Sequence, residues 1–118
     1  MKKIYLACPY SHADMEVVER RVMAVNAWAG KLMRQGHCVF SPLSHSHPIA
    51  MTMVGQSHLD TNFWLAQDLP MLVDWADEMW VLKLEGWEQS KGIHIETVAA
   101  WEFDIPVYYI DPKTGELG

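Results

Sequence analysis

Seven residues, Ser90-Lys-Gly92-Ile-His-Ile-Glu96, hold the strongest chemical candidate in this chain. Gly92 lets the backbone come close to a ligand, and a helix starting there would aim its free N–H groups at an anion. Ala99, Ala100 and Phe103 follow Glu96 at the spacing of one helix face, so Glu96 shares the apolar side of that helix. A carboxylate on an apolar face needs a partner. The competing reading is a first-turn glutamate that favours the helix dipole and points to water, and periodicity alone does not choose between them. Asp68 is the second candidate, although its spacing fits better with a cap for a helical piece beginning near Pro70. Tyr5 lies in an apolar run near the N-terminus, where ordinary core is its simplest role.

Two further sets have suggestive residue types. His45-Ser-His47, with His58 and Asp60, contains side chains that bind divalent metals. Its spacing matches no closed zinc pattern and no cysteine lies near enough to complete one, so neither metal nor cofactor is expected. These histidines read instead as parts of a lid over a ligand, with His45 and His47 as donors to it, or as solvated loop residues. Cys8-Pro-Tyr10-Ser11 offers a thiol or hydroxyl nucleophile, but only His12 is adjacent as a base, and buried cysteines are commonly inert.

The elements that must position these residues follow from periodicity. Lys3 to Cys8 reads as a buried strand stopped by Pro9. Asp14 opens a long amphipathic helix with Met15, Val18, Val22, Val25, Ala29 and Leu32 inward, Glu16, Glu19, Arg20 and Arg21 on the other side, and Gly36 as its C′ residue. Cys38 to Ser41 is a second strand ending at Pro42. Residues 42 to 60 show no period and are expected to form a long loop, a kind that is usually functional. Asp60 and Thr61 cap a helix to about Gln67, with a further helical piece from Pro70. Glu78 to Leu84 is a strand, Gly92 to Phe103 a helix, Val107 to Ile110 a strand, and Asp111 to Gly118 a polar tail. Strands alternating with helices predict a single α/β domain over residues 1–118: a flavodoxin- or Rossmann-like three-layer fold with four to five parallel strands in the order 2-1-3-4. Ligands of such sheets bind where the strand order reverses, so Tyr10 and Ser11 should meet Glu85 to Gly92 there.

Composition sets limits on partners. The chain has 118 residues, half of them hydrophobic, and a net charge of −6. That balance argues against a nucleic-acid polymer or an anionic membrane, which are held by clustered Lys and Arg. Two cysteines do not make a disulfide framework, and no apolar run approaches a membrane span, so a cytoplasmic protein is expected. Six tryptophans exceed what so small an interior needs. Some should line a pocket or a self-association surface, which predicts a homo-oligomer.

Taken together, Ile4-Tyr5-Leu6-Ala7, Gln67-Asp68-Leu69 with Trp75-Ala76-Asp77, and Ser90-x-Gly92-x-x-x-Glu96 followed by Ala99 and Ile105-Pro106-Val107 resemble the nucleoside 2-deoxyribosyltransferase superfamily, including its deoxynucleoside 5′-monophosphate N-glycosidases. The resemblance implies that Glu96 attacks C1′ of the sugar, that Asp68 holds or protonates the departing base, and that Tyr5 orients Glu96. It implies a nucleoside or nucleotide substrate and a pocket completed by a neighbouring subunit. Ser90 stands where transferases of free nucleosides tend to have an acid and the monophosphate hydrolases a serine. Since serine donates to a phosphate oxygen that a carboxylate would repel, a 5′-monophosphate is favoured. Val98 replaces a glycine usual in the family, and the 42–60 segment departs from its common form. The alternative from another class is a non-catalytic nucleotide-binding or protein-interaction module on the same scaffold, for which Glu96, Asp68 and Tyr5 need not converge.

Overall fold

In the computed structural model, which describes residues 1–118, four strands form one parallel sheet: β1 (Lys3–Ala7), β2 (Cys38–Phe40), β3 (Glu78–Leu82) and β4 (Val107–Ile110), in the order β2-β1-β3-β4. Strand β1 pairs with β2 through Tyr5 opposite Phe40, and with β3 through Tyr5 opposite Met79. The helices are α1 (Met15–Arg34), α2 (Pro42–Ala50), α3 (Thr61–Trp75) and α4 (Lys91–Glu102). This is the flavodoxin-like α/β fold that the sequence predicts.

The two-residue period of β1 decides which side chains reach which layer. Ile4 and Leu6 join Trp80 and Leu82 under α1, whose Val18, Val22, Val25, Ala29 and Leu32 are all buried. Tyr5 and Ala7 point the other way, to Met79 and Val81, beneath Leu72 of α3 and Ile93 and Ala100 of α4. Tyr5 is therefore in the α4 layer by parity. Asp14 caps α1 by accepting from the Glu16 N–H at 2.9 Å. Gly36, at φ 96°, ends the helix with the His37 N–H on the Leu32 carbonyl and its own N–H on Met33, as a C′ glycine should.

Three expectations need correction. Residues 42 to 60 are not one loop, because Pro42–Ala50 is helical. Ser41 caps it by accepting from the Ser44 N–H, and Pro42 sits at its start. Its buried face is Leu43, Ser46 and His47, a helical spacing made mostly of polar side chains, so hydrophobic period could not reveal it. Second, α3 runs unbroken through Pro70, and Asp68 is a mid-helix residue rather than a cap. Proline there removes one bond, to the Ala66 carbonyl, and Ala66 is exposed, so water can take its place. Third, the polar tail folds back on the free edge of β4. Tyr109 and Gly118 exchange both backbone bonds at 2.8 Å, and Asp111 N–H meets the Glu116 carbonyl.

Of the tryptophans, Trp64 and Trp80 are buried, Trp28, Trp75 and Trp87 are half-buried, and Trp101 is 64% exposed. No helix is long and apolar enough to cross a membrane.

Because Pro70 is exposed inside a continuous helix, Pro70→Ala restores a hydrogen bond without disturbing the core. It is expected to stabilise the protein by about 1 kcal/mol or more, read as a higher midpoint at an unchanged slope in urea. A lower midpoint would mean that the proline sets a bend the core requires.

Candidate active site

A cavity of about 780 Å³ opens at the carboxyl ends of β1 and β3, the reversal point expected from the strand order. Its walls come from the segment after β1 (Cys8 to His12), from α1, α2 and α3, and from the segment between β3 and α4 (Leu84 to Gly92).

Glu96 lies at its inner end and is only 5% exposed. The Tyr5 hydroxyl donates to its Oε2. Glu96 shares the inward face of α4 with Ile93 and Ala100, as the spacing implies, and the water-facing alternative is excluded. Burial raises its carboxyl to about 8; the Tyr5 hydrogen bond opposes that shift and the charge of Asp68 adds to it. Burial and the two carboxylates also keep Tyr5 protonated, raising it well above the usual phenol value.

Asp68 reaches the same cavity from α3. Burial raises it to about 6, against a weak hydrogen bond donated by Ser46 at 3.4 Å. Two carboxyl groups from different helices thus face one space, each pushed toward its neutral form. Tyr5 stands behind Glu96 and does not itself line the cavity.

The remaining candidates divide. Ser90, Gly92, Tyr10 and Ser11 line the cavity. Ser90 is the N-cap of α4, its hydroxyl oxygen accepting from the Ile93 N–H at 3.2 Å, which leaves its own proton free to donate. A Cβ on Gly92 would meet only Ser90 Oγ, at 3.9 Å, so packing within the chain does not demand glycine there. His45 and His47 do not line the cavity, contrary to the lid expectation. His45 is exposed with its ring against Phe40, while His47 is buried between Tyr10 and Glu19. His58 donates from Nε2 to the His12 carbonyl instead of converging with either. No three His, Cys, Asp or Glu side chains are arranged to hold a metal ion. Cys8 is packed in the core with its thiol pushed far upward by burial, which removes the thiolate a nucleophile needs. Val98 lies outside the lining.

Sequence reasoning missed Arg20, Arg21 and Lys91, which also line the cavity. Arg21 was expected on the outer side of α1. It donates to the Tyr10 and Ser11 carbonyls at 3.3 and 3.2 Å and to the Glu85 carbonyl at 3.0 Å, tying the two sequence-distant segments of the mouth together. Gly86, at φ 90°, leaves room for it, since a Cβ would come within 2.7 Å of the guanidinium. A helical pattern marks these positions only as polar. Ser46 was also missed, because its helix was.

The raised Glu96 value has a stability consequence. An unfolded glutamate loses its proton near pH 4.3, whereas folded Glu96 keeps it to about 8. Between those values the unfolded state binds fewer protons, so Glu96 lowers stability as pH rises. Glu96→Gln, which does not ionise, should therefore gain on wild type in melting temperature between pH 4 and pH 8.5, by roughly 5 °C or more. A difference that stays constant with pH would contradict the burial argument.

The chain matches the family described as Domain of unknown function (DUF1937) over residues 2–111. Among curated proteins no sequence match is found. Among solved structures, a 2-deoxyribosyltransferase from the psychrotolerant bacterium Bacillus psychrosaccharolyticus is similar, with a TM-score of 0.66 and 27% identity over 97% of this chain and 74% of that one. The chain therefore belongs to the DUF1937 family, a member of the nucleoside 2-deoxyribosyltransferase-like group.

Proposed function

We propose that the protein cleaves or transfers at the N-glycosidic bond of a (deoxy)nucleoside or its 5′-monophosphate, through a covalent intermediate on Glu96. The observation that carries this reading is the convergence of Glu96, backed by the Tyr5 hydroxyl, and Asp68 on one cavity. The likeness to a solved 2-deoxyribosyltransferase supports it.

In this reaction the C1′–N bond breaks with an oxocarbenium-like transition state. A fixed carboxylate beside C1′ stabilises the developing positive charge and then closes on C1′ as an ester. Water or an acceptor base later breaks that ester, as in retaining glycosidases. Tyr5 holds one oxygen of Glu96 and leaves the other for the sugar. Asp68, raised to about 6, is a carboxylic acid over much of the acid-to-neutral range and can protonate the departing base.

The monophosphate preference rests on Ser90 and its surroundings. Its free O–H proton, the N-terminus of α4, and the Arg20 and Lys91 side chains, neither paired with an acid, all face the same cavity. A phosphate bound there would meet these two cationic side chains in a protein of net charge −6.

A chromatographic assay for free base, with a panel of deoxynucleosides and their monophosphates and with and without an acceptor base, tests the chemistry. Release by wild type should fall by about a thousandfold or more in Glu96→Ala, as when other enzymes lose their nucleophile. Acid-quenched wild type should carry the mass of the sugar. No release from any member would leave a nucleotide-binding module as the better reading. Ser90→Asp isolates the phosphate argument, because aspartate caps a helix as well as serine does. It should raise KM for monophosphates by about tenfold or more while sparing free nucleosides. Equal effects on both classes would refute the phosphate assignment.

A further inference from the structure

A hydrogen-bonded chain runs from the cavity to the surface through three separate elements. Tyr10, after β1, lines the cavity, and its hydroxyl meets His47 Nδ1 at 3.2 Å. His47 Nε2 meets Glu19 Oε1, on α1, also at 3.2 Å. His47 is 7% exposed and lies behind the cavity wall, whereas the Glu19 side chain is 54% exposed. With both ring nitrogens engaged, the imidazole is held in one orientation.

The chain has a direction. A carboxylate can only accept, so the nitrogen facing Glu19 carries the proton. In the neutral ring Nδ1 is then an acceptor, and the Tyr10 hydroxyl must donate to it. That commits the only proton Tyr10 has and leaves a lone pair on the hydroxyl of a residue that lines the cavity. Burial and the charge of Glu19 both raise the Tyr10 phenol, which keeps it in the O–H form this requires.

Position decides what that lone pair meets. Ser46 and His47 are adjacent on α2; Ser46 hydrogen-bonds Asp68 and His47 hydrogen-bonds Tyr10, and both Asp68 and Tyr10 line the cavity. Under the reading proposed above, on which this inference rests, Asp68 is at the departing base. On this inference, Tyr10 is at the base as well.

We infer that Tyr10, oriented by His47 and Glu19, is a fixed hydrogen-bond acceptor that selects a nucleobase presenting an exocyclic amine at that edge. A keto base would set lone pair against lone pair and leave both groups desolvated without a partner, a loss equivalent to about 10- to 100-fold in affinity. Glu19 and His47 act through Tyr10 and are positioning residues.

The test compares amino and keto partners, cytosine with uracil and adenine with hypoxanthine, at about pH 7, where the Glu96–Asp68 pair holds one proton. Base release from the matching deoxynucleosides and their monophosphates gives kcat/KM, and calorimetry gives binding of the free bases. Wild type should favour the amino member by about 10- to 100-fold in both. Tyr10→Phe should collapse the ratio. Glu19→Ala, at an exposed position outside the cavity, should shrink the ratio with the melting temperature held within a few degrees. A purely structural role would lower both members of each pair equally. No amino preference in wild type, or a ratio unchanged in both variants, overturns the inference. A Tyr10-dependent preference in binding without any base release supports it and refutes the glycosidic reading. Base release without a preference does the reverse.

Discussion

The hydrogen bond between the Tyr5 hydroxyl and the Glu96 carboxyl is the constraint around which the site is built. A carboxyl group 5% exposed cannot be left without a partner in an apolar layer, where an unsatisfied acceptor costs about 1–3 kcal/mol and an unpaired charge more. A side chain on the α4-facing side of β1 reaches it from below. Strand parity gives that face to Tyr5 and Ala7, and of these only tyrosine carries a donor. The register of β1 against β3 and the docking of α4 over Met79 and Val81 are thus tied to one polar contact. A one-residue slip in β1 would bring Ile4 or Leu6 under Glu96 and leave the acid unpaired.

The second organising element is α2. It brings no group of its own as a principal reactant, yet adjacent side chains serve two walls of the cavity: Ser46 on Asp68 and His47 on Tyr10. Arg21 does comparable work at the mouth, binding the carbonyls of both segments that the sheet brings together. These residues are polar and inward-facing, and each satisfies backbone or side-chain groups that the cavity would otherwise leave open. Hydrogen bonds, together with apolar packing, thus hold the cavity walls.

Where the chain could be read from sequence, hydrophobic period was the reason. The five buried residues of α1 recur at helical spacing, β1 and β3 are short apolar runs, and Gly36 and Asp60 mark helix ends by chemistry that needs no tertiary context. Strand order then located the site, and the resemblance of Ser90, Gly92 and Glu96 to a known signature singled out residues that do line the cavity. The same logic failed wherever a buried face is polar. Leu43, Ser46 and His47 form a helix face that no hydrophobicity count detects, and so α2 was read as loop and His47 as a lid residue. Arg21 is half-buried at the mouth, although charge at that helix position usually means solvent. Pro70 was read as a boundary because the cost of an interior proline is local, whereas the packing of Leu65 and Leu72 that outweighs it is not. The tail could not be placed at all, since its pairing with β4 depends on backbone bonds rather than on side-chain pattern.

The protonation of the two carboxyl groups ties geometry to the proposed chemistry. Glu96 is raised to about 8 and Asp68 to about 6, so between those values the pair holds one proton, mainly on Glu96. The reaction needs the same total with the opposite placement: an anion beside C1′ and an acid beside the base. No proton must enter or leave the cavity, only exchange between its two walls. A sugar that develops positive charge at C1′ lowers the cost of ionising Glu96, and a base that develops negative charge raises the value of a proton on Asp68. Both shifts would grow toward the transition state of the proposed reaction. In the proposed reaction, the burial that weakens the fold at neutral pH would also let the substrate's own charge redistribution set the protonation state, which is the differential stabilisation that catalysis requires.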